Sequence, residues 1–312
     1  MLLGIGLSPA VYDHFGWTAM ALLWGGLSLV LYVISLFGMR ENVDFAHEEQ
    51  PPFWQAVRVT FANRAYLLFL GVGFMTRLGQ SMLTTVIPFY VKYVLRIPDA
   101  RSSWFLGATF GLAVILMWPW QRIIKRIGTR WSYVAGMAAL GICCLPLLFA
   151  NSFEATLVTC LFISFGYAGL TILPEVMLSE IVDEDHINIG ARREGMYWGL
   201  YGFAQRFPIG VANLVFGYML AWTGYVHPTA AVARPVQPLA TVLGIRHYAS
   251  TGVLLTMLIG VGFALAYPLY GRRLRRVQER MAALRARLRE RGAALVQEPV
   301  RLQTGPLGNG NR

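Results

Sequence analysis

Arg77 and Arg206 each stand inside a long apolar run of the sequence. A guanidinium in such a place must meet water, an anion or a carboxylate if it is not to face lipid. Arg77 follows Ala65 by 12 residues and Arg206 follows Gly195 by 11. Along helices rising ~1.5 Å per residue, that puts them about 18 and about 16 Å deep. Small and polar residues recur around both at three- and four-residue steps. Gly73, Arg77, Gln80, Ser81, Thr84 and Pro88 mark one run; Gly199, Gly202, Arg206, Gly210, Asn213 and Gly217 mark the other. Such spacing puts them on one helix face. The planar fork of five donors suits each arginine to an anionic or hydroxyl-rich partner. Tyr201 and Gln205 add hydrogen-bonding groups, and the rings of Tyr197, Trp198, Tyr201 and Phe203 either stack on a sugar face or simply pack. The plainer alternative is that each arginine ties helices together through carbonyls or an ion pair. Pro208 leaves the carbonyl of Ala204 without its helical amide partner. Breaks of this kind occur in membranes where water or protein satisfies the freed group, which favours a wet cavity.

A second constellation is the stretch SEIVDEDHINIGARREG, from Ser179 to Gly195. Asp183, Glu184, Asp185, Arg192, Arg193 and Glu194 lie there between two apolar runs, as a connecting loop whose opposite charges can pair. An exposed pair of that kind contributes only about 0–1 kcal/mol. Metal or redox chemistry has no comparable support. Cys143, Cys144 and Cys160 fall inside apolar runs without His or Asp neighbours, which is neither a zinc nor a disulfide pattern. No glycine-rich phosphate loop or catalytic grouping is visible, so the sequence reads as no enzyme, with no metal site and no cofactor.

The elements that must hold these residues are long apolar helices. Hydrophobic residues make up 56% of the 312, and charged ones only 14%, against roughly 25% in soluble domains. Seven runs are long enough to cross a hydrocarbon core, which takes about 20 helical residues: 17–38, 65–91, 102–120, 131–150, 155–178, 195–222 and 248–270. No Asp or Glu stands in the middle of any of them. If the runs alternate direction, 20 of the 27 basic residues fall on one side and five on the other, namely Lys92, Arg96, Arg101, Arg234 and Arg246. The basic side is the cytoplasmic one, so the expectation is a multi-pass protein of the inner (plasma) membrane with a cytoplasmic C-terminus. The net charge of +11 then needs no nucleic acid. Much of it lies in a basic amphipathic helix over 271–297, whose Leu274, Val277, Met281, Leu284 and Leu288 form an apolar stripe. Such a helix either lies on the anionic inner leaflet or stands free in solvent. Residues 298–312 read as a disordered tail.

The stretch LPEVMLSEIVDEDHINIGARREGMYWGLYGFAQRF, with PFYVKYVL before it and YAST and YPL after it, resembles the glycoside-pentoside-hexuronide:cation symporters. These are the melibiose-carrier branch of the major facilitator superfamily. The loop Asp-Glu-Asp followed by Gly-Ala-Arg-Arg-Glu-Gly-Met-Tyr is the most specific part. The resemblance runs from about Trp17 to Tyr270 and matches only spans six to twelve of a twelve-span fold. It implies an all-α polytopic membrane protein with an incomplete major facilitator fold of about seven transmembrane helices. Residues 1–38 are then an N-terminal remnant with a span-six-like helix, 39–64 a central cytoplasmic loop, and 65–270 a six-helix C-terminal bundle. The Asp183–Glu194 loop becomes a cytoplasmic gate between spans ten and eleven. Arg206 falls where relatives place a lysine near the sugar and cation path. Lys125, in QRIIKRIGTR, replaces the aspartate of the superfamily's short basic loop.

The resulting reading is the C-terminal part of a secondary active transporter, carrying a sugar or related small polar solute by cation-coupled symport. Arg77, Gln80, Thr84, Tyr201, Gln205, Arg206 and Asn213 would line its path. The coupling ion, Na⁺ or H⁺, would be held mainly by carboxylates of a missing or separately encoded N-terminal bundle. Partners are therefore the solute, the lipid bilayer and that bundle. Two alternatives remain open: a carrier of amphipathic lipids, and a non-transporting membrane interaction module or inactive truncated fragment.

Overall fold

The structure is a computed structural model that describes residues 2–38, 53–97, 99–189, 193–228 and 235–297. Arg192, most of the expected central loop and the tail 298–312 lie outside the described residues. Every regular element among those described is helical. α1 (Leu2–Gly38) leaves helical geometry at Gly16 (φ 75, ψ 177), between the expected remnant and the expected first span. α2 (Phe53–Ala62) turns part of the expected central loop into helix, and α3 (Arg64–Phe89) follows it. Next come α4 (Asp99–Ile127), α5 (Thr129–Cys144) and α6 (Phe153–Ile189). The series ends with α7 (Glu194–Ala204), α8 (Arg206–Trp222), α9 (Leu239–His247), α10 (Val253–Ala266) and α11 (Gly271–Gln297).

Four described helical stretches are long and apolar enough to cross a membrane: Phe15–Gly38, Thr129–Leu148, Phe153–Ile189 and Leu239–Ala266. They coincide with four of the seven expected runs. The other three runs correspond to α3, α4 and the α7–α8 pair. Polar residues dilute the hydropathy of the first two, and a break at Gln205 divides the third. The last span starts earlier than expected, at Leu239, because α9 passes into α10 through a π-helical turn at Tyr248–Gly252. The chain is thus a multi-span membrane protein of all-α architecture.

Inside the bundle, α3 packs on α8 and α10, α5 on α6 and α10, and α4 on α1 and α6. Tyr66, Phe69, Val72, Met137, Leu140, Leu170, Leu173 and Met257 form its fully buried centre. Since lipid is as apolar as leucine, close backbone approach holds such helices together. A Cβ added at Gly166 of α6 would come 2.6 Å from the Leu140 amide nitrogen of α5, so that contact requires glycine. Buried tyrosine hydroxyls fasten the helices further. Tyr90 donates to the carbonyls of Leu147 and Ala150 (2.8 and 3.0 Å), and Tyr248 to that of Ala212 (2.7 Å).

Candidate functional site

A cavity of about 750 Å³ opens between α3, α4, α6, α7 and α8. Six of the seven residues expected along a solute path line it: Arg77, Gln80, Thr84, Tyr201, Gln205 and Arg206. The seventh, Asn213, does not. It is exposed on α8 and accepts a hydrogen bond (2.9 Å) from Thr85, which does line the cavity. Arg206 and Asn213 both belong to α8 and share a face, but Asn213 lies about 10 Å further along it at ~1.5 Å per residue, past Ile209, where the α8 lining ends; the helix break stands at Gln205, before both. Pro208 causes this break, as its missing amide predicts.

Local geometry explains how each side chain is held. Asn63 caps α3 by accepting from the amides of Ala65 and Tyr66 (2.9 and 3.3 Å), satisfying donors that a helix start leaves free. Tyr66 donates to the carbonyl of Tyr197 (3.1 Å) and its ring meets the Tyr197 ring edge-on at 4.9 Å. These contacts fix the start of α7 against the start of α3. Deeper along the same pair, a Cβ at Gly73 would come 3.0 Å from Gln205 Nε2 and 3.1 Å from the Tyr201 ring. The missing side chain is what lets Tyr201 and Gln205 reach the cavity. Gln80 donates to Thr171 of α6 (3.3 Å), and Thr84 bonds back to the carbonyls of Gln80 and Ser81.

The charges of the cavity do not cancel in pairs. Arg77, Arg206 and Glu175 line it together with the hydroxyl-bearing rings of Tyr167 and Tyr201. Neither arginine has an ion-pair partner among the described residues. No acid stands in the middle of an expected run, but Glu175, near the end of one, lines the cavity. It lies only three residues from the end of the expected 155–178 run, and α6 continues well past that end, to Ile189. The signal was present in the spacing: Tyr167, Thr171 and Glu175, four residues apart, all line the cavity. Pro174, beside Glu175, also leaves the carbonyl of Leu170 without its helical amide partner, and both residues line the cavity. Among the described residues, no three His, Cys, Asp or Glu side chains gather where they could hold a metal ion.

At one end of α6 the second constellation is built differently from the expected loop. Residues 179–189 are helix, and Met177, Leu178, Ile181, Val182 and Asp185 are all buried at helical spacing. Asp185 pairs with Arg193 at 2.7 Å, with side chains only 7% and 3% exposed, so this ion pair is buried rather than solvated. Glu184, equally buried, takes Arg273 of α11 at 2.7 Å. Glu180 accepts from Thr129 at the start of α5 (2.5 Å). Three carboxylates of one helix end thus engage α5, α7 and α11 separately. Asp183 is half-buried and Glu194 is exposed in the first turn of α7, where a negative charge favours the helix dipole. Lys125 is exposed, and the tie between this turn and α6 is the Thr129–Glu180 bond.

The basic helix α11 also departs from expectation. Val277 and Met281 are buried in the bundle core, Leu274 and Leu284 pack against it, and the helix lies on α6. These four residues of the apolar stripe face protein rather than the leaflet or solvent, and the side chain of Leu288 lies outside the described ones.

A family description, MFS/sugar transport protein, matches residues 1–271. The chain belongs to this family. It is a family of transporters, not of enzymes, and a multi-helix bundle around a polar cavity is in keeping with it. An uncharacterized symporter of Synechocystis, sll1374, is 22% identical over 271 residues, covering 85% of this chain and 50% of that protein. A putative glycoside/cation symporter of Escherichia coli, YagG, is 21% identical over 241 residues, covering 76% of this chain and 51% of that one. The chain therefore spans about half the length of the curated relatives it matches.

Proposed function

We propose that the chain supplies spans six to twelve of a secondary active transporter that moves a sugar or sugar acid by cation-coupled symport. In this reading residues 65–270 are its C-terminal bundle, residues 17–38 its sixth span, and the Asp185–Arg193 end faces the cytoplasm. The observation that carries it is the cavity: two guanidiniums without an ion-pair partner among the described residues, one carboxylate, amides, hydroxyls and the rings of Trp198 and Tyr201 converge on about 750 Å³. Binding sites for small molecules occupy about 300–1,000 Å³ and use few, well-placed polar groups. Hydroxyls of a sugar suit the amides and tyrosine; an acidic group suits Arg77 and Arg206.

Alternating access needs a second bundle moving against this one around a central site. Glu175 stands in the cavity without a second acid beside it among the described residues, so the ligands for a coupling ion are assigned chiefly to the first bundle. Vesicle uptake of radiolabelled sugars and sugar acids tests the proposal. This chain alone is expected to give no saturable uptake, and the chain joined or co-expressed with a matching six-span N-terminal bundle is expected to give it. Saturable uptake by the chain alone, without such a partner, would overturn the two-bundle reading. A reporter fused after Arg291 should be active only in the cytosol, and one inserted near Ala230 only outside; reversed activities would remove the gate assignment.

The apolar part of the wall, Ala113, Met117, Leu170 and Ile209, lies beside the polar side chains of α3 and α7. That juxtaposition is the one feature favouring an amphipathic lipid as cargo, and competition of sugar binding by lysolipid would reveal it.

A further inference from the structure

The arginines of α11 divide into two sets. Arg273 is used internally, with Nε and Nη2 both 2.7 Å from Glu184 Oε1. Arg272, Arg275, Arg276 and Arg280 are exposed and have no ion-pair partner among the described residues. At steps of three and four they share one helix face. That face is turned away from Val277 and Met281, which are buried against the bundle. Glu279, also exposed, is the single acid between them, so the face keeps a strong positive excess.

We propose that this arginine face docks on anionic phospholipid headgroups at the membrane surface, while the opposite face stays seated on the bundle. Position and charge both select a lipid surface. The chain turns at Gly271 (φ +56), straight after the last apolar helix. Aromatic and arginine side chains cluster at this level: Arg130 lies 4.0 Å from the Tyr270 ring centroid, Arg122 lies 3.3 Å from that of Trp118, and Trp131 is half exposed. Exposed aromatics of this kind mark the membrane–water interface. From Gly271 to Arg280 the helix covers only about 14 Å at ~1.5 Å per residue, so the four arginines stay close to the headgroup plane. Exposed charges act over about 8–10 Å at physiological salt, and basic residues adjacent to a last span are drawn to anionic lipid. Leu274, Val277, Met281 and Leu284 are already occupied by the bundle, so this part of the helix cannot insert them into the leaflet in the ordinary amphipathic way. Only the charged face remains for the membrane.

Amide hydrogen exchange of the intact protein in nanodiscs tests this. The comparison is phosphatidylcholine alone against phosphatidylcholine with phosphatidylglycerol. Exchange over 272–284 is expected to slow by roughly three- to tenfold with the anionic lipid, and high salt is expected to remove the difference. The combined substitution of Arg272, Arg275, Arg276 and Arg280 by Gln should abolish the slowing, and the same four positions as Lys should keep it. Exchange in α10 serves as the internal reference for correct folding. Equal rates in both lipids, slowing that persists in the Gln variant, or loss of slowing in the Lys variant would each overturn the proposal. Nanodiscs present the same lipid on both faces, so the result is independent of orientation in the cell and of any transported solute.

Discussion

Replacing Arg193 with alanine will destabilise the protein by about 3–5 kcal/mol, the usual cost of breaking a buried ion pair by removing one partner. Asp185, 7% exposed and 2.7 Å from Arg193, would be left as an unpaired buried charge. Asp185→Ala should do comparable damage by stranding the guanidinium. The double variant Asp185→Leu with Arg193→Met should recover most of the loss, because apolar pairs of similar volume are often neutral replacements for buried ion pairs. Thermal unfolding in detergent separates these outcomes as a double-mutant cycle. Single variants that unfold at the wild-type temperature would show that the pair opens to water and carries little, as an exposed pair does. If the α6–α7 junction gates the path, as proposed, this pair would have to separate and hydrate in the open state.

The helix that carries this junction shows what could and could not be read from the sequence. The apolar spacing of Met177, Leu178, Ile181 and Val182 is helical and runs on to Asp185, but the four carboxylates among them outweighed it and suggested a loop. Once the stretch is helix, its charges become buried by tertiary contacts that no local pattern reports: Asn63 and Tyr66 fix Tyr197 from α3, and α11 covers Glu184. The break near Arg206 was legible because Pro208 removes one specific amide. Arg77, Gln80 and Thr84 were legible because they share the face of one uninterrupted helix. Asn213 was not, because helical phase puts it on the face of Arg206 and says nothing of how far along α8 the cavity reaches. The apolar stripe on α11 was legible, but the options of leaflet or solvent missed the bundle, because periodicity alone cannot say what covers a stripe. Glu175 was legible in spacing and overlooked through its nearness to the end of an apolar run.

Within the cavity, Arg206→Ala is expected to weaken solute binding by about 10- to 150-fold, the equivalent of a lost charge-assisted hydrogen bond of about 1.5–3 kcal/mol. Arg206→Lys keeps the charge but not the planar fork, so it should retain binding only in part. Arg77→Ala should act in the same direction, since both guanidiniums line the same space. Arg206 is exposed to the cavity and has no ion-pair partner among the described residues, so these changes should leave the unfolding temperature of the solute-free protein nearly unchanged. That separates them from the Arg193 variants, whose effect is on stability.

The most direct test of the cavity as a solute site is ligand-induced thermal stabilisation of the purified chain. A solute that binds only the folded protein raises its stability with concentration. A panel of neutral sugars, sugar acids and lysolipids should include at least one sugar or sugar acid that raises the unfolding temperature saturably in wild type. The same solute should fail to do so, at the same concentrations, with Arg206→Ala. A panel in which no sugar or sugar acid stabilises the wild-type protein, or in which one does so equally in the Arg77 and Arg206 variants, would contradict the account.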